Sequence, residues 1–132
     1  NPGVSGLINY GNRGGNSAGA HDSGGGGAGG IGNAPGQNSE GGPGGDGITI
    51  SDFGGPLIGV PALNPLSSTY AGGGGSSNSA QLSPGGGGQG AVGTPGPGNP
   101  GVQYSGGGGG GSHGSGTGGT GGSGMVVVRY SV

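Results

Sequence analysis

Few side chains in this sequence are suited to acid–base, metal or nucleophilic chemistry. Its 132 residues include two histidines, four carboxylates and two arginines, but no lysine and no cysteine. His21 stands beside Asp22 and could form a metal or acid–base site with the distant His113, but two exposed polar residues in loops are the interpretation we favour. The serines cannot be assigned as nucleophiles without a positioned base. We therefore predict no enzyme, no catalytic residue and no cofactor.

One segment matches a calcium-binding repeat. Gly41–Thr49 reads GGPGGDGIT, with Asp46 and Ile48 at the defining positions of the calcium nonapeptide. Such sites require tandem repeats, because their ligands come from adjacent turns. The nonapeptides on either side do not match, so we predict that Asp46 is a solvated side chain and that the chain holds no metal.

The low charge excludes several classes of partner. The only cations are Arg13 and Arg129, too few to release counterions from a nucleic acid or to hold an anionic membrane. No apolar stretch is long enough to cross a bilayer. We predict no nucleic-acid partner and no membrane insertion. With no cysteine for disulfides, the composition favours an extracellular or virion-surface location.

The 48 glycines follow a period of three. In the block Gly24–Gly32, every side chain falls on the register of Gly25, Ala28 and Ile31, and the other two registers are pure glycine. Three residues per turn is the period of the left-handed polyproline II helix, which makes no internal hydrogen bonds and leaves its backbone free to bond neighbours. The pattern predicts polyglycine II helices with two bare edges each.

The predicted fold is irregular and non-helical, a bundle or sandwich of polyglycine II helices with proline-rich loops, short terminal β-strands and no α-helix. A nine-residue block would span roughly 28 Å. Ile48–Ile50 and Met125–Val132 have the composition of strands. We predict one domain, residues 1–132, with glycine blocks at 24–32, 41–47, 72–75, 85–93, 106–111 and 114–124 and a C-terminal strand at 125–132.

Two sets of side chains are candidates for contacts with partners. Aromatic and apolar residues of the inserts could bind a receptor; these are Phe53, Leu57, Tyr70 and Tyr104. Alternatively, the aromatic residues cap the ends of the bundle in small apolar clusters. The apolar termini could join subunits by strand addition, through Leu7, Ile8, Met125, Val126, Val127, Val128 and Tyr130.

Glycine blocks alternate with short inserts, STYAGGGG occupies Ser68–Gly75, and the chain ends in GGTGGSGMVVVRYSV at Gly118–Val132. In these features the chain resembles the glycine-rich domains at the ends of tailed-bacteriophage fibres and in related environmental proteins. In fibre-tip adhesins of that kind, polyglycine II helices stack into a sandwich and the inserts touch the bacterial receptor. The resemblance implies four recognition loops, namely Asn33–Glu40, Phe53–Leu66, Ser76–Pro84 and Thr94–Tyr104.

These features give three functional hypotheses. The first is a non-enzymatic extracellular or virion-surface domain that presents loops to a cell-surface receptor or glycan. The alternative is a structural subunit that assembles with copies of itself into an extracellular filament, and in either case we expect a homo-oligomer or larger assembly. The third is ice binding, because Thr117, Thr120 and Ser123 form a hydroxyl row with a repeat of roughly 9 Å.

Overall fold

The computed structural model describes residues 10–17, 21–36, 40–49 and 69–126. Within these ranges there is no helix, and the only sheet has two antiparallel strands, β1 (Ile48–Thr49) and β2 (Thr69–Tyr70). The prediction of a non-helical, irregular fold is confirmed for this part of the chain.

The small sheet lies where the chain leaves and re-enters the glycine blocks. Ile48 is opposite Tyr70 and Thr49 is opposite Thr69, whose hydroxyl oxygens are 2.9 Å apart. The strand predicted at Ile48–Ile50 is therefore present as far as Thr49, and Ile50 lies outside the described residues. Of the predicted C-terminal strand, Met125 and Val126 are described and belong to no strand.

Backbone hydrogen bonds between distant parts of the chain organise everything else. In the described residues they join runs of chain side by side, which we call rods and number from 1 to 9 in chain order. The rods comprise residues 12–15, 22–28, 30–33, 41–47, 71–78, 84–91, 96–102, 106–111 and 116–123.

The bonds between two rods recur at every third residue. Rod 5 donates to rod 6 from the amides of Gly72, Gly75 and Asn78, with N–O distances of 3.0, 2.9 and 2.8 Å. Its amides at Gly73 and Ser76 donate instead to rod 4. Because successive residues face different neighbours, one rod bonds several others, whereas a β-strand with its period of two bonds partners only in its own sheet.

The pattern of bonds places the rods in two layers. Rods 3, 4, 6 and 7 follow one another in the first layer, and rods 1, 2, 5, 8 and 9 in the second. Each rod also bonds one or two rods of the other layer. Rods 2, 4, 7 and 9 run in one direction and the remaining rods run in the other. Rod 5 is central, with bonds to rods 2, 4, 6 and 8.

The first glycine block differs from the single long helix expected from its length. The amide of Gly27 donates to Gly30 O at 2.9 Å, and the amide of Gly24 donates to Asn33 O at 3.0 Å. The block therefore folds back on itself as rods 2 and 3, and a straight span of roughly 28 Å is wrong for it. A chain with only Ala28 between two glycine stretches can reverse with little steric cost, and the reversal gives rod 2 a partner within the same block.

The interior is built from backbone and serine. Among the described residues no apolar side chain is buried, and the buried side chains are those of Ser76, Ser79, Ser83 and Ser105. A Cβ placed on Gly24, Gly44 or Gly74 would overlap a backbone carbonyl of an adjacent rod. The rods thus lie closer together than side chains would allow, and lateral hydrogen bonds of about 0.5–1.5 kcal/mol each stabilise them.

The rod at the edge of the second layer has an open side. In rod 9, a Cβ on Gly116, Gly119 or Gly122 would overlap rod 7, as the predicted register requires. On Gly118 and Gly121, however, a Cβ would lie 3.6 and 3.5 Å from its nearest neighbour, which is ordinary contact. Only one of the two bare registers of this rod is covered within the described chain.

Candidate ligand groove and histidine pocket

A groove of about 860 Å³ runs along the outer face of the second layer. Rods 2, 5 and 8 contribute most of its surface, and Tyr10 and Asn12 stand at its border. The Tyr10 side chain is 54% exposed. Because the rods carry almost no side chains here, the floor of the groove is bare backbone.

Each of the three rods presents unpaired amides along this floor. Among the groove-lining backbone N–H groups that have no hydrogen-bond partner in the described residues, six form pairs, with one pair on each rod and the two members three residues apart. They belong to Ser23 and Gly26 of rod 2, Gly74 and Ser77 of rod 5, and Gly109 and Ser112 at the end of rod 8. The groove therefore offers an array of donors without a cationic side chain.

At one end the groove meets a second cavity of about 440 Å³, which we call the histidine pocket. It lies where rods 2 and 4 begin and rods 5 and 8 end, so four separate segments meet there. Its lining residues are His21, Asp22, Gly41, Ser77, Asn78, Ser112, His113 and Gly114. Asp22, Ser77 and Ser112 also line the groove, so the two spaces adjoin each other.

Several polar side chains of the histidine pocket are held by local bonds. Ser77 Oγ donates to Asp22 Oδ2 at 3.0 Å, and Asn78 Oδ1 accepts from the Gly93 amide at 3.0 Å. Asn78 has a φ of 59°, a left-handed conformation that asparagine tolerates better than most residues. These contacts leave two side-chain atoms, Asp22 Oδ1 and Asn78 Nδ2, without partners in the described part of the chain.

The two histidines are half-buried and line the same pocket. The backbone of His113 is fixed by a pair of 3.0 Å bonds with Gly96, and its Nδ1 is buried without a partner among the described residues. The interpretation of His21 and His113 as two exposed polar residues in loops is therefore wrong as to exposure, because both residues are half-buried. No short-range sequence pattern links His21 to His113. The two residues come together because rods 2 and 8 run in opposite directions, so that the start of rod 2 lies near the end of rod 8.

The described residues contain no group of three metal-ligating side chains. Asp46, in the calcium-like nonapeptide, is exposed, and its carbonyl accepts the amides of Gly29 and Gly30. In the hydroxyl row, Thr117 and Thr120 are exposed, but Ser123 Oγ accepts the amide of Tyr104 at 2.9 Å.

The aromatic candidates lie elsewhere in the molecule. Tyr70, half-buried in β2, and Tyr104, 45% exposed, are at the end of the bundle opposite the histidine pocket. Phe53 and Leu57 lie outside the described residues. Tyr10, like Tyr104, is exposed.

Two of the expected recognition loops are parts of the scaffold. Thr94–Tyr104 contains rod 7, and Ser76–Pro84 contains the end of rod 5 and the return segment that lets rod 6 run parallel to it. Asn33–Glu40 does connect two rods, 3 and 4, although residues 37–39 lie outside the described ranges. Phe53–Leu66 lies entirely outside them.

The assembly candidates can be placed only in part. Val126 is 89% exposed and Met125 is half-buried. Leu7, Ile8, Val127, Val128 and Tyr130 lie outside the described residues.

Comparison with known proteins adds no relative. No protein-family model matches the sequence, and neither a curated protein nor a solved structure matches it significantly. Within the described residues no helix has the length and apolarity to span a bilayer.

Proposed function

We propose that this chain is a non-enzymatic, extracellular or virion-surface domain in which a sandwich of polyglycine II helices presents binding surfaces to a cell-surface receptor or glycan. The observation that carries the proposal is the three-residue repeat of lateral bonds from rod 5 to rods 4 and 6. This repeat fixes the positions of the described segments at both ends of the rods without a buried apolar side chain among those residues. A frame of this kind leaves side chains free for recognition.

The scaffold part of the proposal is tested by amide hydrogen exchange. In rod 5 the amides of Gly72, Gly73 and Gly75 should exchange slowly, because each donates to a neighbouring rod. The amides of Gly74 and Ser77 should exchange fast. Uniform exchange along the rod would rule out a polyglycine II frame.

The binding part is tested with fluorescently labelled protein and a panel of bacterial cells, measured by flow cytometry. We expect saturable binding to some cells, displaced by unlabelled protein. The absence of saturable binding to any cell, by a chain that passes the exchange test, would contradict the receptor-binding function.

A second candidate function, a filament subunit, is favoured by two surfaces that have no partner within the described residues. Rod 9 has an open bare register, and the groove presents amides with the three-residue spacing of a docked rod. If rod 9 of one copy enters the groove of the next, the contact is head-to-tail, and it produces an open filament when the rotation between copies does not close a ring. The exposed Val126 belongs to the segment that we proposed for strand addition.

Sedimentation velocity over a range of protein concentrations separates the two functions. A mass that stays discrete supports the receptor-binding domain, and fibres that lengthen with concentration support the filament. If fibres form, deletion of residues 125–132 identifies the contact between subunits. The deletion should abolish the fibres if terminal strands join the subunits, and it should leave the fibres intact if rod 9 and the groove join them.

A further inference from the structure

We infer that the histidine pocket and the adjoining groove form a binding site for an uncharged oligosaccharide, with one sugar residue in the pocket and the next ones along the groove. The inference rests on the receptor-binding function proposed above and names the ligand class. It is carried by three observations, namely the charge of the pocket, the mixture of its polar groups and the donors on the groove floor.

The charge of the pocket selects against ions. Asp22 supplies its only carboxylate and no arginine lines it, so an anionic ligand would meet a negative charge without a compensating partner. One carboxylate with two imidazoles is also a poor match for an organic cation, since no tryptophan, tyrosine or phenylalanine ring of the described residues lines the pocket. A neutral ligand is left.

The polar groups of the pocket suit hydroxyl groups in particular. Each sugar hydroxyl is both a donor and an acceptor, so it needs mixed partners. The pocket provides an acceptor at Asp22 Oδ1 and two N–H donors at the side-chain nitrogen Nδ2 of Asn78. It also provides the hydroxyl group of Ser112 and the imidazoles of His21 and His113. The Ser77–Asp22 bond of 3.0 Å holds the carboxylate in place, so less entropy is lost when a ligand binds.

The groove provides for a longer chain. Six amides of its floor, two on each of three rods, have no partner among the described residues and are donors for ring and hydroxyl oxygens. The bare glycine floor lets a ligand approach the backbone directly, and Tyr10 offers an exposed aromatic face at the border. An extended glycine-rich peptide could use the same amides, but it has no hydroxyl groups for the side chains of the pocket. The pocket therefore favours the saccharide.

The histidines give a direct readout, because the chain has only two and both line the pocket. The test follows the ring signals of the full chain by NMR during titration with uncharged probes. The probes are the methyl glycosides of glucose, galactose, mannose and N-acetylglucosamine, and their trisaccharides, up to about 50 mM, since weak sites have a Kd of order 1 mM.

We expect saturable shifts of both histidine signals with at least one sugar, and tighter binding of its trisaccharide. Asp22→Asn keeps the shape of the side chain but removes its charge, and it should weaken binding about tenfold or more, since bonds to charged groups are the strong ones. Asp46→Asn changes an exposed carboxylate outside both cavities and should bind as the unsubstituted chain does.

The proposal is overturned if no sugar shifts either histidine, if Asp22→Asn binds as well as the unsubstituted chain, or if triglycine and not a sugar shifts both signals. The cell-binding assay keeps this failure apart from failure of the proposed function. Cells bound equally by the unsubstituted chain and Asp22→Asn would leave a receptor-binding domain whose site is elsewhere. Sugar binding without any cell binding would leave the site and remove the receptor function.

Discussion

At the scale of single residues, the register of a glycine decides whether it can be replaced. Gly25 and Gly26 are neighbours in rod 2, yet their surroundings differ. A Cβ on Gly26 would overlap the carbonyl oxygen of Asn12 in rod 1, whereas one on Gly25 would lie 3.6 Å from its nearest atom, the oxygen of Gly74. The two positions therefore form a matched pair.

We predict that Gly26→Ala lowers the free energy of unfolding by about 1–3 kcal/mol, the usual cost of forcing an extra methyl into a packed site. Gly25→Ala should be neutral or should stabilise the chain by about 0.4–1 kcal/mol, because alanine restricts the unfolded state. Urea unfolding of both variants measures the difference. Equal losses would contradict the assignment of registers.

The buried serines form a second matched pair. Ser76 Oγ lies 2.9 Å from Asp22 O and 3.1 Å from Gly42 O, so it ties rod 5 to rods 2 and 4. Ser79 Oγ is buried without a partner in the described chain. We predict that Ser76→Ala costs about 1–3 kcal/mol and that Ser79→Ala is neutral or stabilising, since an unsatisfied buried hydroxyl is itself unfavourable. Of the two variants, Ser76→Ala should have the lower melting temperature in thermal melts. The reverse order would contradict this account.

At the scale of the rod, the repeat matters more than the length. Inserting Gly-Gly after Gly119 would move Thr120 into the register of Gly122, where a Cβ overlaps the carbonyl of Val102. Inserting Thr-Gly-Gly at the same place keeps every side chain in its original register. We predict that the three-residue insertion destabilises the chain less than the two-residue insertion.

Melting temperatures of the two insertion variants check this prediction. The two-residue insertion should lower the midpoint clearly more than the three-residue insertion, which only lengthens an edge rod. If the loss instead grows with the number of inserted residues, the three-residue repeat does not control rod 9.

The sequence predicts the local features of a rod better than it predicts the partners of that rod. The register of Gly25, Ala28 and Ile31 follows directly from the spacing of side chains, and a Cβ on Gly24, Gly26 or Gly27 beside it would overlap neighbouring backbone. The reversal after Gly27 could not be predicted, because a glycine block carries the same period whether it is straight or folded back. The open side of Gly118 and Gly121 depends on which rod is at the edge, and glycine spacing contains no signal for that.

The histidine pocket shows the same limit for a site. His21 precedes a glycine block and His113 follows another, which identifies both as residues at the ends of rods. Whether two rod ends meet depends on the direction of every rod between them. Topology of this kind is set by lateral backbone bonds, which any glycine can make.

At the scale of the whole molecule, the described residues have a different source of stability from that of most domains of this length. Hydrophobic burial normally dominates and gives unfolding a large positive heat-capacity change, because apolar surface becomes hydrated. Here the described residues bury no apolar side chain and form their interior from glycine backbone and serine. Unfolding therefore exposes mainly peptide groups, whose hydration lowers the heat capacity.

We predict a heat-capacity change well below the roughly 1.6–2.0 kcal/mol/K that an ordinary domain of this length would give at about 12–15 cal/mol/K per residue. Scanning calorimetry at several pH values, with the unfolding enthalpy plotted against the melting temperature, measures it as a slope. A slope in the ordinary range would mean that a substantial apolar core exists beyond the described residues.

A small slope also makes the stability curve flatter, so a chain held by backbone bonds should lose little stability on cooling, and unfolding in urea should confirm this at 5 °C and 25 °C.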